Sequence, residues 1–109
     1  MNWIALTNEE QLQQINAASA EQTIAIFKHS TRCSISSMAK SRLERTVVPE
    51  ALTFYYLDLI SYRSVSNAIE AMYGVPHESP QILLIRNGKC IYDESHNGIR
   101  MEEIADHIA

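Results

Sequence analysis

One stretch limits the fold of this chain more than any other: Thr23-Ile24-Ala25-Ile26-Phe27-Lys28-His29. Apolar residues stand at consecutive positions, so an extended chain here is apolar on both faces. A strand with one wet face would instead alternate apolar and polar residues. A strand apolar on both sides must be covered on both sides, which places it at the centre of a sheet between two helical layers.

The flanking segments fit that placement. Trp3 to Leu6 reads as a short strand, and Thr7-Asn8-Glu9-Glu10 reads as a capping box with Thr7 and Glu10 as its two arms. Leu12, Ile15 and Ala18 then continue along one helical face. After the central run, Ile35, Met38, Ala39 and Leu43 recur at helical spacing, and Pro49 lies at or past that helix's end. Phe54 to Asp58 predicts a strand, and Val65, Ala68, Ile69 and Met72 a helix closed by Gly74. Ile82 to Ile85 and Cys90 to Tyr92 flank Asn87-Gly88, the strongest short hairpin signal. Gly98 precedes a last helix with Met101, Ile104, Ala105 and Ile108 on one face. The predicted order is β-α-β-α-β-α-β-β-α, an α/β domain with a central mixed β-sheet flanked by helices on both faces. With no repeat, linker or low-complexity segment, residues 1–109 read as a single domain.

Composition excludes some partners. A formal net charge of -4 argues against nucleic acid and anionic membranes, which are held by clustered Lys and Arg. The one basic cluster, Lys40 to Arg45, is interrupted by Ser, Leu and Glu and reads as a solvated helix face. No run approaches the roughly 18 apolar residues of a membrane span, and "MNWIALTNEE" has no basic n-region. Two cysteines make no secreted disulfide framework. The expected location is the cytoplasm, where thiols stay reduced.

The chemistry concentrates at Cys33, in "KHSTRCSISSMAK", where the central strand gives way to a helix. The thiolate is the nucleophile, and a free thiol of pKa about 8.5 is only a few per cent ionised at neutral pH. A cysteine at a helix N-terminus faces unbonded amides and the positive end of the macrodipole, and both favour the anion. Arg32 is a neighbouring cation, and Ser36, one turn on, is spaced to donate its hydroxyl to the sulfur. Ser36 also stands where a C-x-x-C pair has its second sulfur, so no internal disulfide can close there. Cys90 begins the returning hairpin strand, about 15–20 Å from the Pro80 end, whereas a disulfide needs Cα atoms within about 7 Å. It reads as a packing residue. The histidines show no short metal-ligand spacing with either cysteine, so no metal site is expected. His29 ends the central strand near Cys33, where it is a candidate either for tuning the thiolate or for a strand-end hydrogen bond. His77 precedes Pro80 and falls near the same rim. Phe27, Phe54, Tyr55 and Tyr56 read as core packing.

The element order, with Cys33 after the second strand, Ser79-Pro80 before the next-to-last strand and "LLIRNGK" as the hairpin, resembles the thioredoxin fold over essentially the whole chain. The local "HSTRCSIS" resembles the H-S-T-x-C-P-I-S signature of the YtxJ-type monothiol bacilliredoxins, matching at His29, Ser30, Thr31, Cys33, Ile35 and Ser36. Ser34 departs from it, standing where that family has proline. The resemblance implies a cis Pro80 beside the active sulfur. It implies Cys33 and Ser36 as catalytic residues, and Thr31, Arg32, Ser79 and Pro80 as substrate contacts. It also implies removal of bacillithiol from mixed disulfides on S-thiolated client proteins, with bacillithiol as a transient partner and no tightly bound cofactor. Two other readings remain open. One is a monothiol glutaredoxin-like iron–sulfur protein, for which "CSIS" has the C-x-x-S form but lacks the usual glycine and aromatic. The other is a non-catalytic binding module on the same scaffold.

Overall fold

The computed structural model describes residues 1–108. Strands and helices follow in the order β1 (Trp3–Ala5), α1 (Glu9–Ala18), β2 (Thr23–His29), α2 (Ser34–Glu44), β3 (Leu52–Asp58), α3 (Arg63–Tyr73), β4 (Gln81–Arg86) and β5 (Lys89–Ser95). A 3-10 turn at His96–Gly98 and α4 (Met101–Asp106) complete them. The five strands form one sheet in the order β1-β3-β2-β4-β5. β2 is central, parallel to β3 along its whole length and antiparallel to β4.

The double-sided apolar run of β2 is the reason for the layering. Ile24 and Ile26 enter a core shared with Leu12 and Ile15 of α1 and Val65 and Ile69 of α3. Ala25 and Phe27 enter a second core with Ala39 and Leu43 of α2 and Met101 and Ile104 of α4. Each fully buried Ile or Leu contributes about 1.5–3 kcal/mol relative to exposure, so slipping β2 by one residue exchanges the two cores and is strongly disfavoured. The hairpin follows its turn chemistry, since Asn87 and Gly88 both have positive φ (53° and 72°). The turn is tied to the end of α1. Asn87 N donates to Ser19 O at 2.7 Å and Gly88 N to Ser19 Oγ at 2.9 Å.

Three expectations need correction. The capping box lies one residue later, with Asn8 as N-cap and Gln11 as its return arm. Gln11 Oε1 also accepts the Thr7 amide at 2.7 Å, and an amide side chain serves both amides where Glu10 faces outward. The buried face of α2 is Ser36, Ala39 and Leu43, while Ile35 and Met38 are 43% and 61% exposed. Small residues at 36 and 39 turn to the sheet here, and a local hydrogen bond, described below, makes burial of the serine possible. α4 ends at Asp106, so Ile108 lies beyond the helix, although it still packs on the second core. No helix among the described residues is long and apolar enough to cross a membrane.

Candidate thiol site at the end of the central strands

The sheet ends in three chain segments that meet at one edge. β2 and β3 run parallel to His29 and Asp58, and the chain turns after each. Leu59 N donates to His29 O at 3.0 Å, which holds the two turns together. β4 runs the other way and starts at Gln81, opposite Lys28. Extending that register by one residue sets Pro80 across from His29, at the same edge as the turn that leads to Cys33. The Ser79–Pro80 peptide bond is cis. The Pro80 carbonyl already accepts the His96 amide at 3.0 Å.

Cys33 is the N-cap of α2, with extended backbone (φ -108°, ψ 121°) and no hydrogen bond from its side chain to the helix. Its amide donates to Ser30 O at 3.1 Å, closing a turn over Ser30–Cys33, and its carbonyl takes the first helical bond from Ser37 N at 3.1 Å. The amides of Ser34, Ile35 and Ser36 open the helix and have no acceptor within it. The first turn contains no acidic residue, so nothing there offsets the positive end of the dipole. Cys33 is a free thiol and partly exposed.

Ser36 does something the sequence reading did not assign to it. It is fully buried, and its Oγ lies 2.6 Å from His29 Nδ1 while accepting the Ser30 amide at 3.0 Å. His29 is itself buried between Phe27 and Tyr56, with ring centroids at 5.9 and 5.4 Å. Burial first, and Lys40 second, hold the imidazole below its ordinary range, against Asp58, a hydrogen bond with the Ser36 backbone, and Glu44. A neutral ring accepting at Nδ1 takes the only proton Ser36 has. The expected Ser36 bond to the Cys33 sulfur is therefore replaced by a latch from the end of β2 to the first turn of α2. Among the described residues, no hydrogen bond joins Ser36 to Cys33.

The remaining expected residues fall as follows. Thr31 and Arg32 are exposed on the turn before Cys33. Among the described residues Arg32 makes no ion pair. Ser79 is partly buried, and its Oγ is enclosed without a hydrogen-bond partner. Cys90 pairs with Ile85, at the opposite end of β4 from Gln81. Its thiol lies 3.3 Å from the Tyr92 carbonyl, burial pushes it up, and it is free. No group of three or more metal-ligating side chains occurs among the described residues. Sequence reasoning missed Lys28, whose side chain is fully buried. Its signal was visible: a lysine inside an otherwise apolar central strand.

The family described as monothiol bacilliredoxin BrxC matches residues 4–104. Among solved structures, a candidate oxidoreductase with a thioredoxin fold is 27% identical, with 96% of this chain and 92% of that chain covered and a TM-score of 0.84. Thioredoxin from Malassezia sympodialis (Mala s 13) is 14% identical, with 98% and 88% covered and a TM-score of 0.73. Fasciola hepatica thioredoxin is 12% identical, with 96% and 95% covered and a TM-score of 0.72. These likenesses show the thioredoxin fold.

Proposed function

This chain belongs to the monothiol bacilliredoxin family, and from that premise we propose that Cys33 carries out thiol–disulfide exchange on S-thiolated proteins. Family and fold together support a redox function. One observation carries the finer reading: Cys33, a partly exposed free cysteine, is the N-cap residue of α2, and the other cysteine, Cys90, lies at the opposite end of the β4–β5 hairpin. In the first step the Cys33 thiolate attacks the small-thiol sulfur of a client–S–S–R mixed disulfide. A new S–S bond joins Cys33 to the small thiol, the S–S bond of the mixed disulfide breaks, and its electron pair leaves on the client sulfur as a thiolate, which takes a proton from water. With Ser36 bound to His29 and Cys90 at the far end of the hairpin, the chain has no means of resolving this adduct. A second thiol must attack it, forming R–S–S–R″ and returning the Cys33 thiolate.

Bacillithiol is the small thiol that the family's name implies, and it serves as a passing partner with no resident cofactor required. Thr31 and Arg32 form one side of the entry and Ser79 with Pro80 the other. The Pro80 carbonyl is already engaged by His96, so Ser79 supplies the main-chain groups that meet the substrate. The work fits a reducing cytoplasm, where mixed disulfides are the exception to be reversed.

The test is mass spectrometry after exposure to oxidised bacillithiol and, in parallel, oxidised glutathione. A single adduct on Cys33, absent from Cys33→Ala and released by added thiol, supports the reading. Absence of any adduct defeats it and favours a binding module.

A further inference from the structure

Lys28 takes no part in the exchange step, yet its side chain is fully buried near the end of β2. It lies on the α1 and α3 side of β2, directly opposite Gln81 of β4. Its Nζ is 3.4 Å from His77 Nδ1, and Ser66 Oγ of α3 is 3.1 Å from the same nitrogen. The His77 amide donates to Glu70 Oε1 at 3.0 Å. Gln81 Nε2 donates to the Pro76 carbonyl at 3.0 Å, and Gln81 Oε1 is buried without a partner. The loop from Val75 to Pro80 is thus gripped from beneath by side chains of three elements.

The protonation state follows from donor and acceptor chemistry. An ammonium has no lone pair, so the Lys28 contact requires His77 Nδ1 as acceptor in a neutral ring with its proton on Nε2, while the Ser66 hydroxyl, able to donate or accept, fits either tautomer. A proton on Nδ1 would break the Lys28 contact and set two cations against each other in a buried place. The charged groups around His77 favour the neutral ring. Burial leads, and Lys28 from β2 and Arg63 from α3 add to it, against Glu70 from α3 and Glu78 in the loop. Glu78 is also shared with His96 at 3.6 Å.

We propose that Lys28 and His77 are positioning residues: neutral His77 locks the loop ending at Pro80 onto β2, and protonation of His77 releases it. The loop forms one rim of the proposed exchange site, so its release weakens substrate binding without touching the sulfur. This inference rests on the exchange reading only through that rim.

The experiment uses the full chain and two readouts. In the first, the imidazole of His77 is followed by NMR through a pH titration. The expected spectrum shows a neutral ring protonated on Nε2, titrating below ordinary histidine, with the midpoint raised in Lys28→Met and lowered further in Glu70→Gln. In the second, exchange on a bacillithiol mixed disulfide is measured from pH 5 to 8, each protein being normalised to its own value at pH 8. KM in the natural chain rises by up to about tenfold per pH unit below the His77 transition. His77→Asn, which offers Lys28 an oxygen that cannot titrate, lacks that rise. An Nδ1 proton at pH 7.5, a midpoint unmoved in both variants, or identical normalised profiles would overturn the proposal. Should the natural chain show no exchange at all, the assignment of Cys33 fails, and the NMR readout still decides the loop lock.

Discussion

Replacing Lys28 with methionine should make the fold more stable at neutral pH. Burial lowers the Lys28 ammonium from 10.5 to about 8, with Glu70 acting in the opposite sense. That drop of about 2.5 pH units, at about 1.36 kcal/mol each, puts the cost of keeping this charge in the fold at about 3 kcal/mol. Methionine preserves the unbranched stem and most of the volume, so it leaves little cavity. It forfeits the contact with His77, about 1 kcal/mol, and Ser66 still meets that nitrogen. The expected net gain at pH 7 is about 2 kcal/mol. The sign with pH is equally specific. The folded lysine loses its proton more readily than the unfolded one, so its penalty is constant below about pH 8 and fades between about 8 and 10.5. Urea unfolding, followed by the fluorescence of the single tryptophan, Trp3, measures this at several pH values from 7 to 10.5. The difference between natural chain and variant removes the titrations common to both. The natural chain should gain about 3 kcal/mol on the variant across that window. A variant less stable at pH 7, or two parallel curves, would refute the reasoning. A variant that is more stable but positions its substrate poorly would also separate the loop role of Lys28 from a structural one.

Ser36→Ala removes the acceptor of the Ser30 amide and the partner of His29, and should cost about 1–3 kcal/mol in urea unfolding. Because His29 lies below its ordinary range, its contribution to stability is full above pH 6.5 and is lost as pH falls towards its folded value. His29→Asn should flatten that acid decline in the same assay. Gly88→Ala places a Cβ at φ +72° and should cost about 1–2 kcal/mol of stability. Cys90, half-buried and with its thiol pushed up mainly by that burial, should react with iodoacetamide more slowly than Cys33 when the two are compared by mass spectrometry at pH 7. Cys90→Ser should leave adduct formation at Cys33 in place.

The fold was largely legible because β2 announces itself. Its apolar run names both the central strand and the two cores, and Asn87-Gly88 fixes the hairpin register. What failed was local. Glu10 and Gln11 are both able to close a capping box, and only the entry angle of the chain selects Gln11. In α2 the pattern of Ile35 and Met38 looked like an inner face. Side-chain size and the availability of His29 decided otherwise, and neither is visible in periodicity alone. The position of Cys33 could be read from the strand-to-helix change. The partners of Ser36 could not, because His29 lies before the turn and reaches Ser36 only after the chain folds back. Lys28 was overlooked for a related reason. Its partners come from α3 and the loop before Pro80, far away in sequence.

Lys28 and His29 are neighbours on β2, and a strand sends neighbours to opposite sides. One grips the lip that ends at Pro80; the other grips the lip that bears Cys33. A frame error of a single residue while β2 finds its partners would swap these two grips and unfasten both lips together. The strand thus acts as a keystone that proofreads its own seating, and a mis-threaded copy of the chain would present a sulfur with neither lip set around it.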